Sequence, residues 1–368
     1  MQKVAVVKGV KFGYDPTPQT LDLLSTFRDM VNDAIRICLD EKTRGRLNLR
    51  NRIYRDFRNR YGVTSCLPYS VAEVAWSIAK KHKRWHRRPY AKRLMFKMDA
   101  AKFSLNYSIL SLPFKKGERV LIPLRYAEYQ RSFLMDKTLK KGSVTMTESC
   151  IVIAFSKEIA ATDPSRRVGY DLNEKSIIGS DGTRHDLSEV ARLHTLYGVR
   201  RSKFYERHPD DRRVKKKFAS SRREKERVSQ ALHRISTLIV EKARANKEAI
   251  VLERLKGIRC AHKRGNGEGT ARRRRIALWP FRQLQSYIEY KARWAGVPLE
   301  YVSAAYTSKT CHICGYINRS LKLTDRSWLC PQCGAMLDRD LNAAINIERR
   351  GKIRCLPMTT VARAEARG

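Results

Sequence analysis

The spacing of apolar residues changes period along the chain, and each change marks an element boundary. The first segment, VAVVKGVKF, alternates and predicts a strand. From residue 19 the period lengthens: Leu24, Phe27, Val31, Ala34 and Cys38 recur at three and four, the spacing of one helix face. A basic helical stretch, RGRLNLRNRIYRDFRNR, follows at 44–60. LPYSVAEVAWSIAKKHKRW then carries Ser70 with Glu73 three residues on, which predicts a capping box ahead of Val71, Val74, Ala75 and Ile78. Residues 19–100 therefore predict a helical block. Beyond residue 103, SLNYSILSLPF, RVLIPL, SVTMT and CIVIAFS have strand length and pattern, with turns at KKGE and TES. They predict a small β-barrel over 101–162, completed by residues 1–18 and interrupted by the helical block.

From residue 163 the pattern changes again. RRVGYD, KSIIGS and TRHDL predict consecutive antiparallel strands, with a tight turn at Asp181 and Gly182. A long, heavily charged helical stretch is expected next, with Val228, Leu232, Ile235, Leu238 and Ile239 at helical spacing. EAIVLERL predicts a short buried strand, followed by a helix near 279–295 and a strand in PLEYVSAAY. A meander followed by helix–strand alternation implies an α/β domain with a mixed sheet, here over 163–306 and 336–350. The fold class is thus multidomain, α+β and α/β together. Residues 351–368 carry no clear pattern and are expected to be disordered.

Charge narrows the partners. Lys and Arg number 77 against 36 Asp and Glu, a formal net charge of +41. Self-repulsion on that scale calls for a polyanion, and nucleic acid is the obvious one, because phosphate contacts release counterions. With no run of about 20 apolar residues and no signal peptide pattern, the expected location is the cytosol and no membrane partner is expected. Three basic runs punctuate the chain. KKHKRWHRRPYAKR includes Lys81, Arg84, Trp85, Arg87 and Arg88; RRVKKKFASSRREK includes Lys215 and Lys216; the Gly-rich KRGNGEGTARRRR includes Arg272 and Arg273. Each alone reads as a solvated face, but together with the whole-chain charge they form an electrostatic footprint for nucleic acid.

Cysteines add a metal. Cys311 and Cys314 are two residues apart, as are Cys330 and Cys333, and residues 315–329 separate the pairs. That is four-thiolate structural zinc spacing, with Gly315 and Gly334 permitting the turn after each pair. His312, between the first two ligands, reads as a bystander because four thiolates close the shell. A closed shell leaves no open position for chemistry, so the ribbon at 307–335 is structural and any reaction needs other groups.

Carboxylates are the candidates. Asp171 ends the strand RVGYD, Glu253 ends the buried strand AIVLE, and Asp338 and Asp340 stand where the helix LNAAINIERR begins. Singly, each has a structural explanation: a turn cap for Asp171, a pair with Arg254 for Glu253, an N-cap for either late aspartate. Their order is more informative. A first strand bearing Asp, a hairpin, a later strand bearing Glu and a final helix bearing Asp is the layout of RNase H-like nucleases, whose acids hold two divalent ions. Clustered oxygen ligands suit Mg²⁺.

VGYDLNEKSIIGSDG, IVLERLKGI, TSKTCHICG…CPQCG and DRDLNAAINI, in that order, resemble the TnpB proteins of insertion-sequence transposons, relatives of type V CRISPR effectors. These motifs span residues 167–347; the N-terminal half is similar only in architecture, a barrel (wedge) interrupted by a helical recognition block. The resemblance implies a RuvC-type nuclease with Asp171, Glu253 and Asp340 as its Mg²⁺-binding acids, Asp340 standing two residues before Asn342 as the family's acid does. It further implies a guide RNA encoded near the gene, cleavage of double-stranded target DNA beside a short motif, and sequence reading by RNA–DNA pairing. A monomer is the expected state. A CRISPR-associated miniature effector with the same chemistry and a cleavage-inactive guided repressor are the alternatives within this resemblance; a ribosomal-type zinc-ribbon protein is the alternative outside it. Tyr170 and Asn173 depart from the pattern, which often has a smaller aliphatic residue and Gly there.

Overall fold

The computed structural model describes residues 3–82, 87–160, 163–209, 211, 213, 222–255, 279–322 and 325–353. The chain divides into two compact units, one of residues 5–158 and one of residues 159–368 with 1–4.

The first unit carries strand β1 (Lys3–Phe12) and helices α1 (Pro18–Asp40), α2 (Arg46–Tyr61) and α3 (Leu67–Ala79). α1 buries Leu24, Phe27, Val31, Ala34 and Cys38, as the spacing predicts. The reciprocal cap forms here and not at Ser70: Thr20 N–H donates to the Thr17 hydroxyl at 3.2 Å while Thr17 N–H donates to the Thr20 hydroxyl at 2.8 Å. α3 starts three residues before Ser70, with Pro68 in its first turn, where a missing N–H costs nothing. Ser70 is therefore buried inside the helix, and Glu73 pairs with Lys97 at 2.8 Å.

Lys97 belongs to β2 (Met95–Met98), a strand within the segment whose pattern predicted helix. β2 pairs antiparallel with β6 (Lys140–Thr147), and the sheet continues through β7 (Cys150–Ala160) to β1. A second antiparallel sheet contains β3 (Ser104–Asn106), β4 (Ile109–Pro113) and β5 (Arg119–Pro123), and α4 (Glu128–Met135) leads from β5 to β6. Among the described residues, the strands expected to form one barrel are thus two sheets, joined by a bridge from Gly13 to Arg125. Phe12, Phe133 and Phe155 fill the interior, with ring centroids 6.5 Å and 5.7 Å apart for Phe12–Phe155 and Phe133–Phe155.

In the second unit β8 (Arg166–Leu172), β9 (Ser176–Gly179) and β10 (Arg184–Asp186) form an antiparallel meander. β11 (Glu248–Glu253) lies parallel to β8 and to β12 (Leu299–Val302), giving the order β10-β9-β8-β11-β12. Among the described residues, the charged helical stretch holds α5 (Ser188–Arg207) and α6 (Arg222–Ala245), the latter carrying Val228, Leu232, Ile235, Leu238 and Ile239. Pro209 follows directly on the end of α5, and the residue before a proline is pushed out of the α region. α7 (Phe281–Ala295) precedes β12. A two-stranded ribbon, β13 (Ser327–Leu329) and β14 (Met336–Asp338), runs without a break into α8 (Arg339–Arg350). The ribbon's last strand therefore ends at Asp338, past the boundary expected at 335.

The sheet is buried on both faces, and alternation decides what each residue meets. Val168, Tyr170, Leu172, Ile250 and Leu252 pack with Val228 and Leu232 of α6 and Leu284 and Ile288 of α7. The alternate residues face α8: Val251 packs with Ile347, and a Cβ on Gly169 would stand 2.3 Å from the Ala344 carbonyl oxygen and 2.4 Å from the Glu348 nitrogen. Only glycine lets the helix backbone approach that closely. Among the described residues no helix is long and apolar enough to cross a membrane.

Candidate active site and metal centre

Asp171 and Glu253 share the alternation of Gly169 and Val251, so both carboxylates point to the face that α8 covers. Both are buried, at 6% and 7% exposure. α8 brings Asp340 to the same place in its first turn. Burial first, and then the Asp340 charge, pushes the Asp171 carboxyl up to about 7. Burial and the Asp171 charge push Glu253 up to about 8, against the pull of a hydrogen bond from the Leu172 N–H. Of the three acids expected from the sequence, Asp171 is thus the link: the Asp340 charge acts on it, and its own charge acts on Glu253. Burial and like charge both disfavour the ionised carboxyls, and a bound cation would favour them.

Neighbouring side chains have separate tasks. Asp338 is the N-cap of α8 and accepts the Asp340 and Leu341 N–H groups at 3.0 and 2.8 Å. Its carboxylate is thus committed to the helix start, while Asp340 is left to the cluster, with Arg326 of the ribbon 3.5 Å from its Oδ2. The Asn173 amide donates to Asp171 Oδ2 at 2.7 Å, a contact that Gly could not make. Tyr170, the other departure, points the opposite way into the core, fully buried beside the His185 ring at 6.5 Å.

The cysteines also converge. The sulfurs of Cys311 and Cys333 are 3.8 Å apart and those of Cys314 and Cys330 are 3.5 Å apart. A tetrahedral zinc with Zn–S bonds of about 2.3 Å has sulfur–sulfur edges of about 3.8 Å, so the cage fits that ion. Gly315 and Gly334 adopt the left-handed conformation, at φ +80° and +67°, after each pair. Among the described residues these four are the one group of three or more Cys, His, Asp or Glu ligand atoms that all lie within 4.8 Å of one another. His312 is outside that set but is no idle neighbour: its backbone N–H and its Nδ1 lie 2.9 and 3.0 Å from Asn342 Oδ1 on α8. In the sequence Asn342 serves only as the landmark that picks out Asp340, and Asn346 has no assigned part. The signal was present, since two amides four residues apart on a helix face that is otherwise alanine and isoleucine predict buried polar contacts.

Of the basic residues, Lys81, Arg87 and Arg88 are exposed in the first unit, and Arg88 pairs with Asp40 at 2.8 Å. Arg84, Trp85, Lys215, Lys216, Arg272 and Arg273 lie outside the described residues. An unanticipated row of rings and cations runs from α2 to α3: Arg58 over Tyr54, Tyr54 edge-on to Tyr69 at 5.8 Å, and Arg50 and Lys102 over Tyr69 at 4.9 and 4.4 Å.

Residues 281–347, from α7 through the ribbon to α8, match the family model of the Cas12f1-like TNB domain. The TnpB-like protein MJ0751 of Methanocaldococcus jannaschii is 31% identical over 276 residues, which cover 70% of this chain and 94% of that protein. The chain belongs to the TnpB family. A 203-residue stretch, 50% of this TnpB-family chain, is 25% identical to the CRISPR-associated endodeoxyribonuclease Cas12f1 of Syntrophomonas palmitatica and covers 39% of it. Its fold is similar to that of Cas12f1 in a cryo-EM structure of the Cas12f1–sgRNA–target DNA complex, with TM-score 0.63 and 15% identity over 89% of this chain and 81% of that one.

Proposed function

We propose that the chain is an RNA-guided DNA endonuclease whose hydrolytic centre is formed by Asp171, Glu253 and Asp340. The observation that carries this reading is the clustering of these acids, two of them buried, on the sheet face covered by α8. The order β10-β9-β8-β11-β12, an antiparallel meander beside parallel β11 and β12, is the arrangement expected of an RNase H-like, RuvC-type nuclease. The donor set suits Mg²⁺: carboxylate oxygens only, with Asp171 and Glu253 buried and costly to ionise without a cation. When bound, the ions would polarise water and neutralise charge on a phosphodiester.

The chain's own groups prepare that chemistry. Asp171 and Glu253 supply ligand oxygens from adjacent rigid strands, so little motion is lost on binding. Asn173 holds the Asp171 carboxylate in one orientation. Asp340 adds the third oxygen donor from the helix N-terminus. The four cysteines hold structural zinc and take no part in hydrolysis. The guide would be an RNA encoded near the gene, from the transposon end, and the target a duplex beside a short motif. The positive charge and the row of Arg50, Tyr54, Tyr69 and Lys102, with Tyr69 exposed and the others half-buried, suit phosphates and bases.

The test is direct. The protein purified with its co-transcribed RNA is given Mg²⁺ and matching duplex DNA with randomised flanks. Wild type should cut beside one enriched motif and Asp171→Ala should not; equal cutting by the variant removes the active-site assignment. Sequencing the bound RNA separates a transposon-end transcript from a repeat–spacer transcript.

A further inference from the structure

The helix that carries Asp340 is held at its two ends by different structures. Towards its C-terminal half, Ala344, Ile347 and Glu348 rest on the sheet at Gly169 and Val251. Its first turns meet the backbone around the first cysteine knuckle. Asn342, 1% exposed, donates from Nδ2 to the Thr310 carbonyl at 2.8 Å. That fixes its Oδ1 towards His312, whose backbone N–H donates at 2.9 Å and whose Nδ1 lies at 3.0 Å. A carbonyl oxygen only accepts, so Nδ1 carries the hydrogen. One turn on, Asn346 donates to the Thr307 and Thr310 carbonyls at 2.9 and 2.6 Å, and the Arg349 guanidinium donates to the His312 carbonyl. The ribbon partners of these three side chains all lie within residues 307–312, which include the ligand Cys311, while ahead of them the Arg339 N–H donates to the Arg326 carbonyl at 2.8 Å and Arg326 lies 3.5 Å from Asp340 Oδ2.

We propose that Asn342 and Asn346 are positioning residues that lock the first turns of α8 to the cysteine knuckle, so that a closed thiolate cage sets the place of the Asp340 carboxylate. This rests on the reading of Asp340 as a metal ligand. The knuckle backbone supplies both acceptors and donors for buried amides. Its conformation therefore dictates the rotation of the helix about its axis, and Asp340 lies only two residues before Asn342. The ribbon thus acts on the reaction centre through helix geometry, in addition to anything it binds.

The test uses the zinc-loaded full chain and Mn²⁺ as the probe ion, with binding read from the loss of the free-ion EPR signal. Asn342→Leu keeps the bulk and removes the clamp. It should retain its zinc and weaken Mn²⁺ binding by about tenfold or more, the usual effect of losing a partner that orients a ligand. The Mn²⁺ concentration for half-maximal cleavage should rise by the same factor; a merely structural loss would lower the yield of active protein without moving that midpoint. Wild-type Mn²⁺ binding by the variant overturns the proposal. Asn346→Leu carries the same expectation if Asn342→Leu does not fold. If neither accumulates as a zinc-loaded protein, the amides are folding determinants and the positioning role is wrong. Asp340→Asn separates the two claims. If it binds Mn²⁺ like wild type, the reading of Asp340 fails; if it binds weakly while Asn342→Leu binds normally, only the clamp fails.

Discussion

Asp171 and Glu253 are the residues that follow the Tyr170–Leu252 pair on neighbouring parallel strands, and the Asp171 charge raises the resistance of Glu253 to ionisation. Residues in register on adjacent parallel strands project to the same face, so the two side chains leave the sheet side by side, one interstrand spacing apart at the backbone. The pair is poised to lose its protons when a cation arrives.

That relationship fixes a pH dependence. Without added divalent ions, the folded chain keeps protons on Asp171 and Glu253 up to about 7 and about 8. The unfolded chain releases them near pH 4. The unfolded state therefore binds fewer protons across this window, and stability falls as pH rises from about 4 to about 8. The melting temperature of the zinc-loaded protein should drop between about pH 5 and about pH 8, and less so in Asp171→Asn. Equal slopes would show that the pair is not the source. Mn²⁺ affinity should rise over the same range, since binding expels protons.

Asp338 and Asp340 stand two residues apart and should fail differently. Asp338→Ala loses an N-cap, so about 0.5–2 kcal/mol of stability should go while most cleavage remains. Asp340→Ala should abolish cleavage at little cost in stability, because it removes a repelling charge. Thermal melts and cleavage rates of the two variants together check both; the opposite pattern would exchange their roles.

Gly169→Ala tests the packing of α8 on the sheet. The added methyl would meet the Ala344 carbonyl and the Glu348 nitrogen, both backbone, which cannot rotate aside. A destabilisation of at least about 1–3 kcal/mol is expected, with weaker divalent binding if the helix shifts instead. A denaturant midpoint equal to wild type would mean that the helix has room to move.

Zinc removal should act beyond the ribbon. A single Cys330→Ser change or chelation is expected to lower the melting temperature and to weaken Mn²⁺ binding together, with both restored by zinc only in the chelated wild type. Loss of zinc with Mn²⁺ binding intact would detach the two sites from each other.

Much of the candidate site was legible because its residues break their local pattern. Acids at the ends of RVGYD and AIVLE, and paired cysteines at fixed spacing, stand out from apolar or random surroundings. What escaped was decided by contacts distant in sequence. Ser70 and Glu73 carry the residues of a capping box, but Pro68 lets the helix begin earlier and Lys97 takes the glutamate. Met95–Met98 has too few residues to show a period, and its strand identity comes from pairing with β6. Asn342 and Asn346 read as ordinary helix residues until the knuckle lies against them.

The order of the ligands along the chain has a consequence for synthesis. The strands bearing Asp171 and Glu253 can pair as soon as both have left the ribosome, but Asp340 arrives on α8, after the ribbon. On the proposed reading, a nascent chain that has passed Glu253 has a sheet and no nuclease. Hydrolytic competence is therefore switched on by the docking of one late helix, and a truncated or incompletely folded product is harmless to the DNA around it.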